Sequence, residues 1–272
     1  MPFTENEGTK IYWDEYGGGQ PLLLIMGLGS TSDLWYRLLP ELSSHYRTIL
    51  FDNRGVGRSD VPPGPYSITT MASDAAAVMN AAGAGAAHVL GFSMGGFIAQ
   101  ELALNYPEKV RALILAGTAC GGRDAVRAAP EVLVALEARG VKTLEEAFWM
   151  MAPYNYDSST LPARLEEDLA ASLRTPLQRK GYVAQLQGIA LWAGSHNRLS
   201  KLDAPVLIIH GESDQLIPPA NARILASAIA NSRVVMIPRA GHRFMTDQPE
   251  AASEAILSFL ENAEVQSGGS LI

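Results

Sequence analysis

The chain predicts an α/β protein: a mostly parallel central sheet flanked by helices, with a helical segment inserted before the last strands. Three observations carry that reading. Short apolar runs alternate with helical stretches from 10 to 116, which implies βαβ units. Several runs, such as 22–26 and 112–116, are continuously apolar, as in strands buried on both faces of a parallel sheet. Between 121 and 200 the pattern is helical only, and the alternation then resumes.

In order, 10–16 alternates as a strand and runs into Gly17-Gly18-Gly19, a turn. The strand 22–26 ends in Gly27-Leu28-Gly29. A helix is expected over 32–42 and a strand over 47–51, closed by the turn Asp52-Asn53-Arg54-Gly55. An alanine-rich helix follows at 69–82, then a strand at 88–91, a helix at 93–105 stopped by Tyr106-Pro107, and a strand at 110–116. Helices are expected at 128–139, 144–151, 161–173 and 177–192. Strands at 205–210 and 233–237 and helices at 219–230 and 249–262 complete the chain. The domain reading is therefore one α/β core, 1–120 with 201–262, interrupted by a helical cap at 121–200. Residues 263–272 are small and polar and read as a flexible tail.

Composition narrows the function classes. The 272 residues, 47% of them hydrophobic, suffice for one large core. A formal net charge of -7 with no long basic run argues against nucleic acid or anionic membrane as partner and favours a small molecule. The single cysteine, Cys120, excludes an intrachain disulfide and reads as a buried thiol. No signal peptide is visible at the N-terminus, and no run reaches the roughly 18 apolar residues of a membrane span. The cytoplasm is the expected compartment. No His/Cys/Glu cluster has zinc spacing, so neither a metal nor a cofactor is expected.

The chemistry concentrates at one motif. Gly91-Phe92-Ser93-Met94-Gly95 matches G-x-S-x-G between an expected strand and an expected helix. A sharp strand-to-helix turn there stands the serine hydroxyl at the carboxyl edge of the sheet. The glycines let strand and helix approach, and the helix start favours developing negative charge. A serine needs a base to take its proton. Of five histidines, His242 lies in a loop after an expected strand, at the same edge as Ser93. His210 ends an apolar run and reads as packing. His45 and His88 begin strands at the opposite edge, and His196 belongs to the insertion. The base in turn needs an acid to orient it. Asp214 follows the strand 205–210, with Glu212 and, more weakly, Asp124 as competitors.

The glycine-rich stretch 52–59 carries Arg54 and Arg58 but lacks the Lys-Ser/Thr ending of a P-loop. It reads as a turn held by Asp52 and Arg54 side chains, not as a phosphate site.

From about 9 to 261 the chain resembles the α/β-hydrolase superfamily. The resemblance rests on Phe51-Asp52-Asn53-Arg54-Gly55-Val56-Gly57-Arg58-Ser59, on the turn at Ser93, on Gly211-Glu212-Ser213-Asp214 and on Gly241-His242. The order Ser, Asp, His is also that of the superfamily. In detail the chain is similar to the small carboxylesterase and enol-lactonase branch, which carries a helical cap in the same place. The resemblance implies Ser93 as nucleophile, His242 as base and Asp214 as acid. It also implies an oxyanion hole from the backbone N–H groups of Met94 and Leu28, although Met26 stands where a histidine is commoner.

As a lid, the insertion would offer Phe148, Trp149, Met150, Met151, Tyr154, Tyr156, Leu191 and Trp192 to an apolar pocket. The expected substrate contacts are Gly27, Phe92, Trp149, Met150, Tyr154 and Trp192. Arg123, Arg127 and Arg198 are candidates for a substrate carboxylate, though surface positions suit them better. The expected activity is hydrolysis of a carboxylic ester or lactone of a small, largely apolar substrate. A C–C bond hydrolase of vinylogous diketones with the same triad is the alternative, and a non-catalytic receptor is a third.

Overall fold

The computed structural model describes residues 2–176 and 178–268. Eight strands form one sheet: β1 Phe3–Asn6, β2 Thr9–Tyr16, β3 Pro21–Ile25, β4 Arg47–Phe51, β5 Ala87–Phe92, β6 Val110–Ala116, β7 Val206–Gly211 and β8 Ser232–Ile237. Their spatial order is β1-β2-β4-β3-β5-β6-β7-β8. β1 pairs antiparallel with β2, and β2 with β4; all later pairings are parallel.

The apolar runs behave as sheet-centre strands. Leu22 through Ile25 are all fully buried, yet they feed two separate cores, Leu23 and Ile25 on one face, Leu22 and Leu24 on the other. A strand alternates its side chains, so only a sheet covered on both sides hides every residue. Helices α2 Ile68–Ala81, α3 Met94–Asn105 and α8 Ala220–Ala228 cover the first face. Helices α1 Leu39–His45 and α10 Pro249–Gly268 cover the second, with α9 Phe244–Asp247 between sheet and α10. Each such aliphatic side chain contributes on the order of 1.5–3 kcal/mol.

Between β6 and β7 the chain forms α4 Pro130–Ala138, α5 Leu144–Asn155, α6 Pro162–Ser172 and α7 Arg179–Leu191. The capping box at Thr143 and Glu146 starts α5, each side chain bonding the other's backbone N–H.

Several boundaries depart from expectation. The helix expected over 32–42 is a short 3₁₀ turn, Ser32–Trp35, followed by α1. Pro40 explains the break: it lacks the N–H a continuous helix would use there and fits only a first turn. β1 and α9, both four residues long, carry too little pattern to be read. The last helix does not stop at 262. It runs to Gly268, so 263–268 is helical and not a tail, and Ala263 is buried in the second core. Residues 269–272 lie outside the described residues, as does Leu177, the expected first residue of α7.

The strand order positions the site. β3 feeds a connection to β4 on one side, whereas β5 lies on the other side of β3. The loops leaving the carboxyl ends of β3 and β5 therefore diverge, which opens a crevice at that edge.

Candidate active site

Ser93 stands in that crevice with φ 57° and ψ -122°, a left-handed backbone that side chains rarely adopt. Its neighbours hold it there. The Ser93 N–H donates to the Ala116 carbonyl at 2.9 Å, and the Ser93 carbonyl accepts from the Gly96 N–H and the Thr118 hydroxyl, both at 2.8 Å. Two glycines make the turn physically possible. A Cβ on Gly91 would fall 2.7 Å from the Ala99 Cβ, and one on Gly95 would fall 2.7 Å from the Ile25 carbonyl carbon.

A hydrogen-bonded chain leads away from the serine. His242 Nε2 lies 3.0 Å from Ser93 Oγ, and His242 Nδ1 lies 2.8 Å from Asp214 Oδ2. The carboxylate accepts from Nδ1–H, which leaves Nε2 free to accept the serine proton. Asp214 Oδ1 accepts the backbone N–H groups of Leu216 and Ile217 at 2.9 and 2.8 Å. Burial raises the Asp214 pKa, but the charge of His242 and the hydrogen bonds from His210 and His242 outweigh it and hold the carboxyl at about 2. His210 is fully buried, as its place at the end of an apolar run implied, and it also supports the acid. Its Nε2 is 2.8 Å from the Ile217 carbonyl and 3.2 Å from Asp214 Oδ2, so one N–H is shared between the loop and the acid. On the other side, the Gly241 N–H donates to Asp247 at 2.7 Å and fixes the loop that carries His242.

The loop after β3 passes beside Ser93. A Cβ on Gly27 would sit 2.9 Å from the Ser93 Cβ, so glycine keeps this wall open. Among the described residues, neither the Leu28 nor the Met94 backbone N–H donates to a protein acceptor. Asn53 donates from Nδ2 to the Met26 carbonyl at 2.9 Å, and Gln185 of α7 accepts the Gly29 N–H at 2.9 Å while donating to the Arg54 carbonyl at 2.8 Å. Both hold the loop in place. Neither was singled out from the sequence. Asn53 lay within the motif at 52–59, but Gln185 sits in an ordinary helical stretch with no signal at all. That motif is a structural turn: Asp52 takes Ser32 and Arg58, and Arg54 pairs with Asp74 of α2, not with Asp52.

The remaining candidates scatter. Phe92 stacks against the His242 ring with centroids 4.8 Å apart. Trp192 turns toward α3: its indole N–H donates to Glu101 at 2.8 Å and its ring lies 4.9 Å from Phe97. Trp149 is 43% exposed and meets Phe148 edge-on, while Met150 and Tyr154 are partly buried. Arg198 is spent on Glu101, and Arg123 and Arg127 are exposed. Glu212 and Asp124 are exposed as well; Asp124 lies 3.9 Å from His196. His45 neighbours Glu41 and His88 neighbours Glu264. Burial pushes the Cys120 thiol up to about 11, which makes it a poor nucleophile. No helix among the described residues is long and apolar enough to cross a membrane.

The chain is similar in sequence and fold to known proteins. The chain is 30% identical to a putative carbamate hydrolase RutD of Azorhizobium caulinodans, over 95% of this chain and 98% of that one. A thermophilic esterase from Thermogutta terrifontis superposes with a TM-score of 0.82 at 29% identity, covering 96% of this chain and 97% of the other. An enol-lactonase from Burkholderia xenovorans LB400 superposes with a TM-score of 0.84 at 25% identity, covering 96% and 100%. The sequence profile of the alpha/beta hydrolase fold matches residues 20–249, and the chain belongs to that family.

Proposed function

We propose that this hydrolase cleaves a carboxylic ester or lactone of a small, largely apolar substrate through an acyl-enzyme on Ser93. The observation that carries the reading is the continuous chain from Ser93 Oγ through His242 to Asp214, at 3.0 and 2.8 Å. Such a chain serves acyl transfer directly. Ser93 gives its proton to His242 Nε2 as its oxygen attacks the carbonyl carbon. The negative charge that forms on the carbonyl oxygen meets the N–H groups of Leu28 and Met94, each worth about 3 kcal/mol in such a hole. Collapse of the tetrahedral intermediate expels the alcohol, which takes the proton back from His242. Water then attacks the acyl-enzyme by the same route, with His242 as base, and releases the acid. Asp214, ionised at any ordinary pH, steadies the imidazolium at each proton transfer.

Helices α4 to α7 act in this reading as a cap at 121–200 over a core of 1–120 and 201–262. Its attachment to the loop after β3 through Gln185 supports that role. Hydrolysis of 4-nitrophenyl esters of rising acyl length tests the proposal. Ser93→Ala should lower kcat by roughly 10⁴-fold or more. A fluorophosphonate should label the parent at Ser93 and leave Ser93→Ala unlabelled. Failure to label the parent would end the acyl-enzyme reading.

A further inference from the structure

We propose that the last turn of α5 and the two residues after it, 153–157, position the base and the acid for the reaction at Ser93, and that Asp157 is the side chain through which they do so. The inference rests on the reading of Ser93, His242 and Asp214 as nucleophile, base and acid, and extends it to what holds the last two in register.

This turn belongs to the insertion, not to the sheet. α5 ends at Asn155, and Tyr156 is already extended, with φ -116° and ψ 153°. The segment lies against the loops that leave β7 and β8, and it meets them on both sides of each proposed residue. After the base, the Arg243 N–H donates to the Asn155 carbonyl at 2.7 Å. Before the base, a Cβ on Gly241 would fall 2.8 Å from the Asn155 carbonyl oxygen and 2.9 Å from the Tyr156 carbonyl carbon. Before the acid, the Ser213 hydroxyl donates to Asp157 Oδ2 at 2.7 Å. After the acid, Gln215 Nε2 donates to the Pro153 carbonyl at 3.1 Å.

Two further sets of bonds close the arrangement. Asp247 Oδ2 accepts the Asp157 N–H at 3.2 Å and the Gly241 N–H at 2.7 Å, so one oxygen joins the turn to the base loop. The Ser213 N–H donates to the Ala240 carbonyl at 2.8 Å, so the acid loop and the base loop also bond each other. Asp157 is the crossing point: its backbone answers to the base loop and its carboxylate to the acid loop.

The chemistry of Asp157 suits that task. Its other oxygen, Oδ1, accepts the N–H and the hydroxyl of Ser159 at 2.9 and 2.6 Å, which orients the carboxylate. The hydrogen bonds from Ser159 and Ser213 hold its pKa below the usual carboxylate value, so it stays a charged acceptor. Among the described residues it makes no hydrogen bond to Ser93, His242 or Asp214, so it acts on their position through their neighbours. Proton transfer along a chain of 3.0 and 2.8 Å tolerates little displacement. A misplacement of about 1 Å can cost about 10²-fold in rate.

Asp157→Ala and Ser213→Ala cut the bridge from opposite sides, and the second alters only the core. Each should lower kcat by about 10-fold for the 4-nitrophenyl ester that the parent cleaves fastest, with KM within about 2-fold of the parent. The double variant should fall no further than the worse single one, because both changes remove the same bond. Asp157→Asn keeps an oxygen for Ser213 and should lose less than Asp157→Ala. An unchanged kcat in either alanine variant, a rise in KM alone, or losses that multiply in the double variant overturns the proposal. If no ester is turned over but a fluorophosphonate labels Ser93, the labelling rate replaces kcat with the same outcomes. If the parent is not labelled either, the acyl-enzyme reading falls, and the positioning is judged by proton NMR of the His242 Nδ1–H, assigned by its loss in His242→Gln. That signal should broaden or shift in both alanine variants; a signal unmoved in either overturns the proposal.

Discussion

Asp214 receives two imidazoles on one oxygen, His242 at 2.8 Å and His210 at 3.2 Å, and two backbone N–H groups on the other. So many donors favour the ionised form against burial, and its pKa drops from 3.8 to about 2. A carboxyl depressed on folding contributes stability that is fully present above its unfolded value and is lost as pH falls through the folded one. Here that window runs from about pH 4 down to pH 2, and the contribution is about 2 kcal/mol. Denaturant unfolding of the parent and Asp214→Asn at pH 5 and pH 2 checks this. The stability advantage of the parent should shrink by about 2 kcal/mol between the two pH values. A pH-independent gap would show that the carboxyl is not held down. This residue was legible in the sequence because it closes a strand of the right kind at the right edge. Gln185 was not. Nothing along the chain says that residue 185, on an insertion, comes to rest against residue 29. That adjacency exists only once the helices between β6 and β7 fold back over the sheet.

At the scale of elements, the same contrast recurs. The strands β3, β5, β6 and β7 were readable because burial on both faces leaves short, nearly unbroken apolar runs, closed by glycine turns or alternating with helices. The helices of the insertion were readable in number but not in placement, since their amphipathic faces do not name the surface they cover. Gln185 shows what that placement achieves. One side-chain amide on α7 joins the Gly29 N–H to the Arg54 carbonyl, locking the loop whose Leu28 N–H is proposed to face the oxyanion. Gln185→Leu keeps the size and deletes both bonds, leaving the buried Arg54 carbonyl and the partly buried Gly29 N–H unpaired at a cost of about 1–3 kcal/mol. Because the loop then moves relative to Ser93, kcat for an ester substrate should fall by at least about 10-fold with KM changed less. A variant that loses stability yet keeps the parent kcat would show that the loop holds its position without α7.

For the molecule as a whole, the question is what fastens the insertion to the sheet. Asp168 of α6 is the principal tie. Its carboxylate accepts Tyr36 at 2.6 Å and Arg37 at 3.1 Å from the segment before α1, Tyr156 at 2.8 Å from the end of α5, and Thr246 at 2.7 Å from α9. A second tie lies nearby: Arg164 of α6 donates to the Thr246 and Asp247 carbonyls, while Asp247 accepts Thr160 and the Gly241 N–H beside His242. The insertion and the loop of the proposed base thus share fasteners, so loosening one disturbs the other. Asp168→Asn preserves shape but turns one acceptor atom into a donor facing other donors, at a cost of about 1–3 kcal/mol. That cost falls on the attachment and not on the sheet, where β3, β5 and β6 are buried on both faces. Amide hydrogen exchange should accelerate by about 10-fold or more in α5 and α6 while the central strands keep their parent protection. Equal acceleration in sheet and insertion would mean that Asp168 stabilises the fold globally, and no acceleration would mean that Arg164 and Asp247 suffice alone.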